Sequence, residues 1–172
     1  MKRRKPPIKP FEYGKYIIEY RETDSKFFPS RRVQKDTGLD FNLLGNICSE
    51  IFNKGFKKNI TLWCKIHKSR QPETSTVERL DEKCLYKIDL DIEGDKKYLI
   101  GCILHELRHA FQQSLFKYEV VARFSSYTAY YNSTEEKDAR KQEKLTSQIV
   151  KIYDNYKKIE QKFEAFNLKE LG

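Results

Sequence analysis

The sequence predicts a compact α+β domain with a small β-sheet, a central helix and a long C-terminal helix. Two observations carry that prediction. Residues 59–67 and 84–92 alternate apolar and polar with period two, the signature of half-buried strands. From residue 96 nearly to the end the apolar spacing becomes helical. At 172 residues the chain is long enough to bury an ordinary core as one domain.

In chain order, the aromatic and β-branched run of residues 11–21 predicts a first strand or hairpin. Residues 22–38 mix charges with a Pro and a Gly and are expected to be loop. Asp40 is placed to cap a helix running to about Asn53, with Leu43, Leu44, Ile47, Ile51 and Phe52 on one face and Gly55 at its end. The strand at 59–67 sets Ile60, Leu62, Cys64 and Ile66 on one side. A polar exposed loop is expected at 68–82. In the strand at 84–92, Cys84, Tyr86, Ile88, Leu90 and Ile92 face inward, while Lys87, Asp89 and Asp91 face outward. Asp95 follows a turn and is a good cap for the helix at 96–115.

A second amphipathic helix is expected at 118–131. After Ser133 a long helix begins, on which Leu145, Ile149, Ile152, Tyr156, Ile159, Phe163 and Phe166 form a heptad seam. Packing of that seam within the chain is favoured over pairing with a second chain, because three heptads are short for an isolated coiled coil.

Charge and cysteine content narrow the function classes. The net charge is +9, and Lys2, Arg3, Arg4, Lys5 and Lys9 supply five of those charges within ten residues that contain no acid. Residues 1–10 are therefore expected to be a flexible basic arm, and residues 11–172 a single domain. Nucleic acid is a weakly supported partner, since no zinc-finger, RNP-like or phosphate-binding glycine motif accompanies the charge. No apolar run approaches the roughly 20 residues of a bilayer span, and no membrane segment is expected. Prolines interrupt the N-terminal segment where a secretory core would lie, which predicts a cytoplasmic protein. Cys48, Cys64, Cys84 and Cys102 form no C-x-x-C pair and are expected as buried, reduced thiols.

The chemistry-bearing motif is His105-Glu106-Leu107-Arg108-His109. Two histidines four apart lie one turn apart on one helix face, so both imidazoles can grip one metal ion. Glu106, about 100° round the helix, can lean over the open side of that ion and move a proton for an attacking water. A shuffled chain with these His and Glu numbers would contain the motif only about three times in a thousand. Arg108 points away from the metal face and is expected to form an ion pair.

Within LIGCILHELRHAFQQ, this motif resembles the active-site helix of zincin metallopeptidases, and the order strand, turn, helix, second helix is similar to their minimal core. The likeness covers roughly residues 60–149. Small bacterial and phage zincins, the ImmA/IrrE-like and SprT-like groups, are the nearest comparisons. The resemblance implies Zn2+, a protein or peptide substrate, and a third ligand downstream. The only other histidine, His67, lies upstream, which disfavours SprT-like and metzincin patterns and leaves the gluzincin arrangement with a carboxylate ligand.

Glu136, in an E-x-x-A context, is the first candidate, followed by Asp138 and Glu135. Ser133-x-x-Glu136 is also a capping box, so a purely structural role for Glu136 stays open. The position four residues after the ligand, often Asp in the family, is Arg140, which cannot accept a hydrogen bond from a ligand histidine. Tyr127, Tyr130, Tyr131 and Arg140 are candidates for stabilising an oxyanion. An extended peptide is expected beside an edge strand, 84–92, with Asp89 and Asp91 favouring basic substrates. Two other classes fit the sequence: a non-catalytic zinc-binding protein and a basic interaction module. Oligomeric state is open.

Overall fold

A computed structural model describes residues 11–13, 16–18, 25–53, 60–81, 85–116 and 126–170. An antiparallel hairpin of β1 (Phe11–Tyr13) and β2 (Tyr16–Ile18) stands apart from a mixed sheet. That sheet has four strands in the order β3-β4-β6-β5: β3 (Lys26–Pro29), β4 (Trp63–Lys68), β6 (Leu85–Leu90) and β5 (Thr76–Arg79). β3, β4 and β6 are parallel, and β5 is antiparallel to β6. The architecture is α+β, as the sequence predicts.

The alternation in β4 and β6 is borne out: Leu62, Cys64, Ile66, Tyr86, Ile88 and Leu90 are all fully buried on one face. Against the sheet pack α2 (Phe41–Asn53) and α3 (Lys96–Phe116), and α6 (Thr146–Glu170) packs on those two helices. Both expected caps form. Asp40 accepts from the Leu43 amide at 3.0 Å, and Asp95 from the Tyr98 amide at 2.8 Å. Tyr153 of α6 accepts the Asp40 amide at 2.8 Å and so ties the last helix to the start of α2.

Several expectations are corrected. Residues 22–38 are not all loop, for they hold β3 and α1 (Arg31–Thr37). α1 is capped by Ser30 and ended by Gly38 at φ 62°, a left-handed conformation that glycine adopts without strain. The polar segment 68–82 contains β5, so the strand at 84–92 lies inside the sheet and β5 forms its edge. Asp91 is buried rather than outward, because β6 ends at Leu90 and Asp91 turns in to accept the Tyr98 hydroxyl at 2.8 Å.

The long C-terminal helix is divided into α5 (Thr134–Glu143) and α6. At the break the amides of Lys144 and Leu145 bond three residues back, and the Thr146 hydroxyl takes the Glu143 carbonyl at 2.5 Å. Of the heptad seam, Ile149 and Ile152 are buried in the core, while Phe166 is 60% exposed.

The expected helix at 118–131 is seen as the short α4 (Tyr127–Tyr131); residues 117–125 lie outside the described residues, as do the basic arm, Gly55 and Cys84. Cys48 and Cys64 are free, buried thiols, and burial pushes the Cys48 thiol up to about 12 and that of Cys64 higher still. No helix among the described residues is long and apolar enough to cross a membrane.

Gly45 sits where α2 crosses β3. A Cβ there would lie 2.1 Å from the buried Phe27 ring. Gly45→Ala is therefore expected to destabilise the fold by about 1–3 kcal/mol, the usual cost of overpacking, read as a lowered midpoint in urea unfolding.

Candidate metal centre

α3 buries Ile100, Ile103, Leu104, Leu107 and Phe111 in the core and turns its other face toward α5. His105 and His109 stand side by side on that face, with ring centroids 4.8 Å apart and Nε2 atoms 3.1 Å apart. α5 supplies the third group. Ala139 is fully buried between the helices and lets α5 approach closely. Glu136, three residues earlier on the same face, reaches His105 Nε2 at 3.3 Å with Oε1 and His109 Nε2 at 3.1 Å with Oε2.

The two roles open to Glu136 separate here. Ser133 does cap α5, accepting the Glu136 amide at 3.2 Å. The reciprocal half of a capping box is absent, because the Ser133 amide bonds the Tyr130 carbonyl at 2.9 Å. The Glu136 carboxylate is thereby left to the histidines.

Among the described residues, His105, His109 and Glu136 are the group whose donor atoms could share a metal ion, all within 4.8 Å of one another. Their shortest separations are 3.1, 3.1 and 3.3 Å. Donors about 2.0–2.1 Å from a tetrahedral ion lie roughly 3.3 Å apart, so the set fits a small divalent cation such as zinc. Two nitrogens and one carboxylate also leave a fourth position open.

The opposite edges of both imidazoles are held. His105 Nδ1 meets Glu143 Oε1 at 2.5 Å, and His109 Nδ1 meets Gln112 Oε1 at 2.9 Å. Gln112 gives its amide hydrogens to Asp138 at 2.7 Å and to the Glu135 carbonyl at 3.1 Å. Its Oε1 must therefore accept, so His109 Nδ1 carries a proton and Nε2 is the nitrogen that faces the site.

Asp138 is in turn fixed by Arg108 at 2.7 Å. Burial opposes its ionisation, but the Arg108 and Gln112 bonds prevail and hold its carboxyl below the usual range. If the group holds a divalent cation such as zinc, Gln112→Ala should lower its affinity about 10–100-fold in a competition titration with a chromophoric chelator, without unfolding the chain.

The ionisable groups bias one another. Burial resists ionisation of Glu136, yet hydrogen bonds from His105, His109 and Tyr130 outweigh it and hold the carboxyl well below the usual carboxylate range. Burial pulls His105 down, and the neighbouring Glu136, Glu106 and Glu143 carboxylates more than reverse that, to about 9. Glu106 is only 6% exposed, and burial pushes its carboxyl up to about 7 against the pull of both histidines. A carboxyl in that range can take and give a proton near neutral pH. His105 and Glu106 form part of the wall of a cleft of about 570 Å³, with Ser75 and Glu73 just ahead of the edge strand β5.

The remaining candidates disperse. Asp138 faces Arg108 and Gln112, and Glu135 meets the site through its backbone carbonyl. Tyr127 is 77% exposed, whereas Tyr131 lies under the Arg140 guanidinium, which also donates to the Tyr131 carbonyl at 2.6 Å. Tyr130 is the tyrosine brought to the centre, its hydroxyl bonded to Glu136; burial and that bond together raise its pKa. His67 is exposed on β4, apart from the group.

Sequence reasoning missed Gln112 and Glu143. Their signals are positional: Gln112 is three residues after His109, and Glu143 is seven after Glu136, two turns along one face. No protein-family model, no curated protein and no solved structure matches the chain.

Proposed function

We propose that the chain is a zincin-like, zinc-dependent endopeptidase in which His105, His109 and Glu136 hold the ion and Glu106 is the general acid and base. One observation carries this reading: two imidazoles and a carboxylate converge from α3 and α5 beside a cleft whose wall includes the buried Glu106 carboxyl. Zinc held there would supply a Lewis acid that lowers the pKa of a water and polarises the scissile carbonyl.

The chain's own groups do the rest. The Glu106 carboxylate takes the proton of the attacking water and passes it to the amide nitrogen as that nitrogen leaves. The Tyr130 hydroxyl, whose single proton bonds Glu136, would turn that proton to the carbonyl oxygen as negative charge gathers on it. Gln112 and Glu143 keep both histidines in register while this happens.

An extended peptide would lie antiparallel or parallel to the free edge of β5, its backbone adding to the sheet. Glu73, Asp95 and Glu143 border the cleft and favour a basic side chain near the scissile bond. The free thiols of Cys48 and Cys64 support a reducing compartment such as the cytoplasm.

Cleavage of a dye-labelled unfolded protein tests the reading. Hydrolysis should cease with a zinc chelator and return on adding one equivalent of Zn2+. Zinc-loaded protein that cleaves neither unfolded protein nor a mixed peptide library would make the centre structural and refute the peptidase.

A further inference from the structure

The sheet has a second face, turned away from the helices and from the metal centre. Along β3 and β4 that face carries Lys26, Phe28, Trp63, Lys65 and His67, all of them exposed. Phe28 is 49% and Trp63 45% exposed, unusual for large aromatic side chains on a strand with a buried opposite face. Lys26 pairs with Trp63 across the strands and Phe28 with Lys65, so aromatics and cations alternate on neighbouring strands. By the spacing of strands and residues, the Cα atoms of Phe28 and Trp63 lie diagonally about 8 Å apart. Lys26 Nζ lies 5.5 Å from the Trp63 ring centre.

Acidic residues of this face, Asp89 and Glu78, sit on β6 and β5, where Lys87 answers them in register and by a 3.1 Å bond to Asp89. The β3–β4 half is thus cationic and aromatic, with no acid. The same chain carries five basic residues in its first ten, and its net charge is +9.

We infer that the open β3–β4 face is a docking surface for single-stranded nucleic acid. Its exposed rings offer stacking platforms for successive bases, which every base can use irrespective of sequence. Lys26 and Lys65 flank the rings where phosphates would run, and a stacked base would displace Lys26 from Trp63 toward the backbone. Charge complementarity selects a polyanion over a second copy of this chain, which would bring the same cations against each other. The surface is made by β3 and β4, whereas the candidate metal ligands lie on α3 and α5, so it neither needs zinc nor depends on the peptidase proposal.

Trp63 is the only tryptophan in the chain, which makes its emission a reporter of this one surface. Titration of the full chain with a 15-nucleotide oligothymidylate at low salt should quench that emission saturably. With a dye-labelled oligonucleotide read by anisotropy, Trp63→Ala and Phe28→Ala should each weaken binding about tenfold, within the range for loss of one stacked base. Lys65→Glu should weaken it at least as much, and affinity should fall as salt rises. His105→Ala/His109→Ala should bind the oligonucleotide like the unaltered chain.

A full-length variant with Lys2, Arg3, Arg4 and Lys5 changed to Gln should bind less tightly yet still show quenching. Absence of saturable quenching would overturn the inference. So would oligonucleotide binding that the three sheet-face substitutions leave unchanged, which would assign it to the arm alone. Self-association of the unaltered chain in sedimentation, lost in Trp63→Ala, would likewise replace the nucleic acid with a second copy.

Discussion

Glu106→Gln is expected to keep one zinc per chain and lose about 10²–10⁴ in kcat/KM, the contribution of a positioned general base. The amide matches the carboxylate in size, so the packing around this 6% exposed side chain is conserved. What it lacks is the ability to accept the proton of the attacking water. In the proposed mechanism Glu106 would serve the transition state and not peptide binding along β5, so the loss should appear mainly in kcat. Near-normal cleavage by this variant, with zinc bound, would remove Glu106 from the mechanism.

The second large effect concerns metal retention. Glu136→Ala removes one of the three groups proposed to hold the ion and should reduce zinc affinity well beyond the roughly 10–100-fold of changes in supporting residues. Asp138→Ala should stay within that smaller range, because Asp138 acts on His109 only through Gln112. Zinc per chain after dialysis, measured by mass spectrometry of the metal, distinguishes the two. If Asp138→Ala loses more zinc than Glu136→Ala, the ligand assignment is reversed.

What could be read in the sequence depended on how local the cause was. The pairing of His105 with His109, and the inward faces of β4 and β6, follow from periods of 3.6 and 2 and needed no tertiary information. Glu136 was readable only as one of three carboxylates. Its release from capping depends on the Ser133 amide finding the Tyr130 carbonyl, a turn geometry that residue spacing does not specify.

Strands β3 and β5 escaped because each is four residues long and charged or Pro-containing, and long-range pairing rather than periodicity makes them strands. Without β5, alternation alone makes the inner strand β6 look like the edge. The buried Asp91 follows from the same limitation: alternation holds only to Leu90, and beyond it the Tyr98 hydroxyl and the Asp91 amide's bond to Ser75 determine where the side chain goes. The break between α5 and α6 has no Gly or Pro to announce it. It rests on the Thr146 hydroxyl competing for a helix carbonyl.

The proposed centre requires that two imidazoles and a carboxylate, with no sulfur, hold the ion. X-ray absorption at the zinc edge on the full-length, zinc-loaded protein tests it directly. The predicted spectrum has a first shell of nitrogen and oxygen at about 2.0–2.1 Å, with the outer scattering of two imidazoles. A shell at about 2.3 Å would place a thiolate on the ion, with Cys102 of the cleft wall a candidate source, and would contradict the site described.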